Sequence, residues 1–587
     1  MNDAQRDTPS RKPLVAACVV LAGVVAGYAV GIAGPVIRTT HLVDDYRQAA
    51  IWLVDARAHV AIDGDPIAEY SRGFMPPVLA ETYGALARVV DPYALTKWLS
   101  LGLVAAFVCV AAGVGQALAG GAGAAALAAL VIADLDWNRA IFGALSRSYA
   151  PLLQAGLVWA LLTRRRFAVA AWLGAAALLH PQSLLLGIVV VAITVAIDVR
   201  RGRERTLPPP ADSPKAWLAV SLAVAAGLAI NATHFRGMEQ RFGSMYGRAE
   251  FLATPEMNAG GRWANERPDA LVVEAARALG GHLGALGVPF ESQRFDSAAK
   301  RYGWAVALLA IVAAILDGLR RAARKSWSEV PSVWLAMPVS GVALAAAAEL
   351  LLPRLYFPRR FVEVGLPFAM QMAIAMWLVA WMERVSRSTP LFAVPTGVLA
   401  LFALSGLVTL PGGRFPGYWV HSDPYQGVAR FLASQPPKTV YAARPLEDAD
   451  TLAALVPRHV FVAREIGHPL FRGYLENVIR PRTLAAWRAI FPLDPDADLR
   501  ALRESGADFL VLRRSDLTDS SPLAREIDEP YRDVIVPGWN ADQAARRTIF
   551  WRRHGDAFVY RDRAYAVADL RRLDPGAQRS AEITGRD

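Results

Sequence analysis

Before about residue 410 the chain runs in long apolar blocks built mostly of Ala, Leu and Val. After it, short mixed segments carry Arg, Asp and Glu at the density of a water-soluble protein. A helix of about 20 apolar residues covers the hydrocarbon thickness of a bilayer, so the blocks predict transmembrane helices. They fall at 14–36, 95–117, 119–133, 149–163, 167–180, 182–198, 216–232, 302–317, 331–352, 362–382 and 391–410, roughly eleven spans. The third, fourth and fifth are short, so they are expected either to sit inside the bundle or to run past these limits. The first run, Pro13 to Ile37, is longer than the apolar core of a cleaved signal and has no clean small-x-small cleavage site, which predicts a retained helix.

From residue 424 the pattern changes period. Helix-like stretches at Pro424–Ser434, Asp448–Leu455, Arg482–Ile490 and Asp496–Ser505 alternate with β-branched and aromatic runs at Thr439–Ala442, His459–Ala463, Asp508–Leu512, Thr548–Trp551 and Ala557–Tyr560. This predicts a small α/β domain. The segment after its first strand, Ala443-Arg444-Pro445, has no glycine-rich phosphate fingerprint, which excludes a Rossmann-type nucleotide site there and favours a supporting or substrate-capping role. The expected fold class is therefore a polytopic α-helical membrane protein with a small C-terminal α/β soluble domain. Its organisation is an N-terminus at 1–12, a membrane domain at 13–410 with outer loops 37–94 and 233–301, the α/β domain at 411–575, and a polar, disordered tail at 576–587.

Composition supports the composite. At 54% hydrophobic and 20% charged residues over 587, the chain is too apolar for a soluble multidomain protein and too charged to lie wholly in lipid. The net charge of +11 is explained by retention of basic loops on the cytoplasmic side rather than by nucleic acid. Cys18 and Cys109 both lie in apolar blocks, so neither a disulfide framework nor a thiolate metal site is available.

Charge also orients the spans. With Arg6, Arg11 and Lys12 cytoplasmic, alternation puts Arg164–Arg166, the cluster from Arg200 to Lys215, Arg320–Lys325, Arg384 and Arg387 on the same side. An odd number of spans then leaves the C-terminal domain extracytoplasmic. One basic cluster breaks the pattern: Pro353-Arg354-Leu355-Tyr356-Phe357-Pro358-Arg359-Arg360 falls on the outer face, where something other than topology should require it.

The candidate chemistry lies on that outer side. Asp44 and Asp45 follow the first helix directly, and a carboxylate at the edge of a low-dielectric region has the raised proton affinity of a general base; the structural alternative is a solvated loop or helix cap. Asp134-Leu135-Asp136 could hold a hard divalent cation such as magnesium or manganese, or simply cap a helix. Arg139 and Arg147 in the same loop could bind phosphate or neutralise these acids. His180-Pro181 breaks a long apolar stretch at an outer turn, where the imidazole could donate to a phosphate or serve only the turn. Arg354, Arg359 and Arg360 suit a lipid phosphate, or headgroup anchoring. Tyr246, Trp263, Glu266, Arg267 and an amphipathic stretch from Ala270 to Leu286 suggest an interfacial cover.

Together, Asp44-Asp45 after the first helix, Asp134-x-Asp136, the apolar hairpin at His180-Pro181, the outer arginines and the terminal soluble domain resemble the C-type (GT-C) membrane glycosyltransferases. The absence of a Trp-Trp-Asp triplet sets the chain apart from the oligosaccharyltransferases among them. The resemblance implies transfer of a sugar from a polyprenyl-phosphate carrier to a hydroxyl on a glycan, lipid or protein, at the outer face of the cell membrane and with inversion, in envelope glycan or glycolipid assembly. It assigns Asp44 or Asp45 as general base and Asp134 and Asp136 to orienting the site or holding a metal in members that use one. Arg354, Arg359 and Arg360, with His180 and Arg139, would hold the donor phosphate. The first-loop motif departs from the family's usual Asp-Glu or Asp-x-Asp, which leaves open which aspartate acts. Two other classes compete: a transporter or flippase of a lipid-linked saccharide, and a scaffold that keeps the fold without the chemistry. Transporters place ionisable groups near the midplane on broken helices in repeated halves, whereas these candidates cluster at the outer edge and no repeat is visible.

Overall fold

The computed structural model describes residues 12–38, 41–43, 45–143, 145–202, 214–258, 261–263, 279, 282, 331–355, 357–388, 419–445, 447–517 and 527–573. The expected spans at 302–317 and 391–410, the stretch 270–286 apart from residues 279 and 282, Glu266, Arg267, Asp44 and the tail lie outside them, as does the side chain of Arg139.

Among the described residues six helices are long and apolar enough to cross a bilayer: Leu14–Ala33, Pro92–Ala133, Pro181–Arg200, Pro214–Phe242, Ser332–Leu350 and Arg359–Glu383. The chain is a polytopic, mostly helical membrane protein. The 42-residue helix Pro92–Ala133 contains two legs, because the backbone leaves helical geometry at Ala119 and Gly120. The legs fold back on each other, with Gly115 packed against the backbone of Gly123 where no side chain would fit. Predicted spans 95–117 and 119–133 therefore correspond to a helical hairpin. Helices Ala150–Leu162 and Arg166–Leu179 end close to their predicted limits and remain short. Leu153, Leu157, Val158 and Leu161 of the first are buried within the bundle.

A five-stranded sheet organises the C-terminal region. Its strands are β3 Val440–Ala442, β4 His459–Val460, β5 Phe509–Arg513, β6 Phe558–Arg561 and β7 Tyr565–Asp569, in the order β4-β3-β5-β7-β6. β3 runs parallel to β4 and β5, whereas β7 is antiparallel to β5 and β6. The predicted helices appear as Gln426–Ala433, Glu447–Ala453, Arg480–Ile490 and Pro495–Glu504.

Two expectations fail here. The run Thr548–Trp551 is not a strand but the end of helix Ala541–Arg553. Asn540 accepts from the Gln543 N–H at its start, and the buried positions Ala544, Arg547, Phe550 and Trp551 follow a helical period that outweighs local β propensity. Tyr565–Asp569 was not anticipated. Buried at every position, it shows no alternation.

The 37–94 segment is not a loop. It folds into helices Tyr46–Ala58, Pro66–Gly73 and Pro77–Val89, and their apolar faces share one core with the C-terminal sheet. Helix Pro214–Phe242 runs past its predicted end, so Met238 and Phe242 enter the same core. There the Tyr70 ring stacks on Tyr474 with centroids 3.7 Å apart. A two-stranded ribbon completes the junction: β1, His41–Val43, pairs antiparallel with β2, Trp419–His421, with Val43 opposite Trp419.

Candidate active site

Asp45 sits between β1 and helix Tyr46–Ala58, where the membrane helices meet the outer assembly. The helix is fixed from the other side. Buried Arg47 lies 3.5 Å from Glu465 of the C-terminal region and 3.4 Å from the Thr451 hydroxyl, and Gln48 donates to the same glutamate at 3.3 Å. Burial alone would raise Glu465, but Arg262, Arg47 and Arg464 hold it below the usual carboxylate range. The outer assembly thus sets the position of the helix that Asp45 precedes.

The Asp45 carboxylate accepts from Arg147, an ion pair in which both side chains are mostly shielded from solvent. Gly143 makes the approach possible: its φ is +113°, and a Cβ there would run into the Asp45 side chain. Arg147 lies on the short 3-10 turn Ser146–Tyr149, which is tied to the neighbouring hairpin because the Ser146 hydroxyl donates to the Leu179 carbonyl at 2.5 Å. The next residue is His180.

His180 caps helix Pro181–Arg200, accepting the Ser183 N–H at Nδ1, 3.2 Å away. Burial, with Arg360 and Arg147 nearby, pushes its imidazole down to about 3. It is therefore neutral, and an accepting Nδ1 places the proton on Nε2 as a donor.

Arg359 and Arg360 begin helix Arg359–Ser388 and both contact Glu363, at 2.9 Å from Arg359 Nε and 3.0 Å from Arg360 Nη1. Glu363 also lies within the field of Arg147. Acid from the first outer segment and guanidinium groups from two later ones thus form one cluster. Arg354 does not share its burial; it is exposed on the turn before this helix.

Glu363 was missed by the sequence reading, although its place three and four residues after the two arginines is the spacing of a helical ion pair. Arg147 was visible only as one of two loop arginines. What brings it to Asp45 is the turn Ser146–Tyr149.

Asp134 is fully buried beside His282, which lies within the field of Glu363. Its Oδ1 accepts the Asp136 N–H at 3.1 Å, while Oδ2 accepts from Gln371 and faces His282 Nδ1 at 2.7 Å. Burial holds the carboxyl above its usual range despite His282. Gln371 in turn accepts from the Trp137 indole at 3.0 Å. Both Asp134 oxygens, of the pair expected to hold a metal, are engaged by protein groups. Among the described residues no group of three or more His, Cys, Asp or Glu is arranged to hold a metal. The network ties the second leg of the hairpin to the helix that carries Arg359 and Arg360.

Among solved structures, the chain is similar to ArnT from Cupriavidus metallidurans bound to undecaprenyl phosphate, with 14% identity and a TM-score of 0.48 over 94% of this chain and 98% of that one. It is also similar to ArnT from the same organism in the apo state, at 14% identity and a TM-score of 0.37 over 94% and 97% of the two chains. No family model and no curated protein matches.

Proposed function

We propose that this protein is a membrane glycosyltransferase that moves a sugar from a polyprenyl-phosphate carrier to an acceptor hydroxyl on the extracytoplasmic face, inverting the anomeric centre. The supporting observation is the meeting of Asp45, Arg147, His180, Arg359, Arg360 and Glu363 at the junction of bundle and outer assembly. Such a site needs a carboxylate beside the acceptor hydroxyl and fixed cations beside the leaving phosphate.

In this reading Asp45 or its neighbour Asp44 takes the acceptor proton as the new glycosidic bond forms. The bond to the carrier phosphate breaks on the opposite face, and Arg359 and Arg360 stabilise the charge that develops there. Glu363 aims both guanidinium groups and offsets part of their charge until a phosphate, with more negative charge, competes for the same donors. His180 adds a neutral N–H donor. Arg147 orients Asp45, and Asp134 acts through Gln371 to position the arginine helix rather than through a metal.

The test is reconstitution of the full chain in liposomes with a labelled polyprenyl-phosphate sugar on one side. Release of free carrier phosphate supports transfer, whereas movement of intact donor supports a transporter. Loss of a general base costs about 10²–10⁴-fold in rate, so Asp45→Asn or Asp44→Asn is expected to lower phosphate release by that factor at unchanged expression. Full activity in both single variants rejects the assignment. Transfer is expected to persist after exhaustive chelation of divalent cations.

A further inference from the structure

His282 is buried, and three carboxylates face it: Asp134, Asp136 and Glu363. Its Nδ1 lies 2.7 Å from Asp134 Oδ2 at the end of the hairpin, and its ring packs against Trp137 with centroids 4.3 Å apart. Trp137 and Asp134 are both tied to Gln371, so the imidazole is fixed on two sides. Among the described residues no hydrogen bond occupies Nε2.

Burial alone would lower this imidazole, but Asp134, Asp136 and Glu363 hold it above its ordinary range. A protonated imidazole donates from both nitrogens. With Nδ1 committed to Asp134, the Nε2 N–H is a fixed cationic donor in the field of Glu363.

Glu363 is the group with a use for it. Its carboxylate holds Arg359 at 2.9 Å and Arg360 at 3.0 Å, and only 31% of the side chain is exposed. A phosphate that takes both guanidinium groups strips Glu363 of its partners in a largely shielded place, a costly state unless another cation receives it. Two further cations face Glu363: Arg147, already paired with Asp45, and His282.

We propose, resting on the transferase reading above, that His282 is a positioning residue: it receives the Glu363 carboxylate when the carrier phosphate takes Arg359 and Arg360. No covalent bond changes in this exchange. One anion arrives, another passes to a waiting cation, and the arginines present their full charge to the phosphate.

The full chain in nanodiscs is titrated by calorimetry with farnesyl phosphate and with farnesol, and the signal of empty nanodiscs is subtracted. His282→Asn is the informative variant, because its amide N–H can replace the Nδ1 donor to Asp134 while the charge and Nε2 are lost. It is expected to weaken farnesyl phosphate binding by about tenfold, an ordinary coupling between interacting residues, and to leave farnesol unchanged. In the Glu363→Gln background no carboxylate has to be received, and the same change is expected to shift phosphate affinity by less than about twofold. Equal losses in both backgrounds mean that His282 serves the phosphate directly or only the fold, and overturn the proposal. Parental affinity in His282→Asn overturns it too. If that variant does not fold, His282→Gln in the two backgrounds gives the same comparison. A phosphate preference without coupling between the two residues leaves the transferase reading standing, whereas equal binding of farnesyl phosphate and farnesol by the parent removes the phosphate site and this role together.

Discussion

The membrane bundle and the outer assembly bury their side chains by different means. The bundle core is rich in Ala, with Ala111, Ala155, Ala160, Ala336 and Ala345 among its least exposed residues, while large residues such as Leu218 and Leu222 face outward at 59% exposure. The outer core draws instead on rings, among them Tyr70, Tyr474, Phe471, Trp263 and Trp487. In lipid, burying a leucine between helices removes it from surroundings as apolar as itself, so helices associate through close backbone approach at small residues. In water the same burial is strongly favourable in proportion to area, so large residues go inward. The candidate site lies on the seam between these regimes, where charged groups have protein on one side and a polar boundary on the other.

Breaking the seam should have the largest effect. Arg47→Ala removes one partner of a buried ion pair, a change that typically costs about 3–5 kcal/mol. Because Arg262 still reaches Glu465 at 3.0 Å, the loss should fall near the lower end of that range. Denaturant unfolding in detergent, followed by tryptophan fluorescence, would measure it. An undisturbed midpoint would mean that the outer assembly holds itself in place without this contact.

A graded effect is expected from pH. Asp55, on the helix that begins after Asp45, is buried against the C-terminal region, and burial followed by repulsion from Asp65 raises its carboxyl to about 8. A carboxyl with a higher value folded than unfolded retains a proton only in the folded state over the interval between the two. The contribution of Asp55 to stability should therefore be complete below about pH 4, decline by up to about 1.4 kcal/mol per pH unit as pH rises, and level off above about 8. Asp55→Asn should flatten that decline in thermal unfolding scans between these limits. A slope identical to the parent's would show that Asp55 is already ionised in the folded protein.

The smallest effect should come from the lipid-facing side. Leu222→Ala, on helix Pro214–Phe242, creates no cavity and is expected to change stability by less than about 0.5 kcal/mol. Leu510→Ala in β5, at 0% exposure, should cost about 2–5 kcal/mol in the same assay. Similar losses from both would erase the distinction between the two cores.

Much of the membrane part was legible because a run of apolar residues long enough to span a bilayer is seldom found in a water-soluble fold. The hairpin break fell at the first two residues of the second predicted span, 119–133, since Ala119 and Gly120 stand between two apolar legs. The C-terminal strands β3, β4, β5 and β6 followed from short β-branched runs. Helix Ala541–Arg553 and strand β7 did not, because a helix with a β-rich end and a strand buried on both faces each lack the expected local period. At the candidate site, Asp45, His180, Arg359 and Arg360 stood out as charges or breaks at the edges of apolar blocks. Glu363 did not, being one acid inside a helix.

Sequence alone determined that this protein crosses a membrane repeatedly and that a mixed domain follows, since each of these depends on periodicity or on transfer from water. Only the tertiary structure decided that residues 46–89 are part of the outer core, that Arg147 rather than empty solvent meets Asp45, and that Asp134 is closed by Gln371. These are contacts between segments from about 100 to 400 residues apart. No local pattern encodes such a pairing; it follows from which faces the helices and strands must bury together.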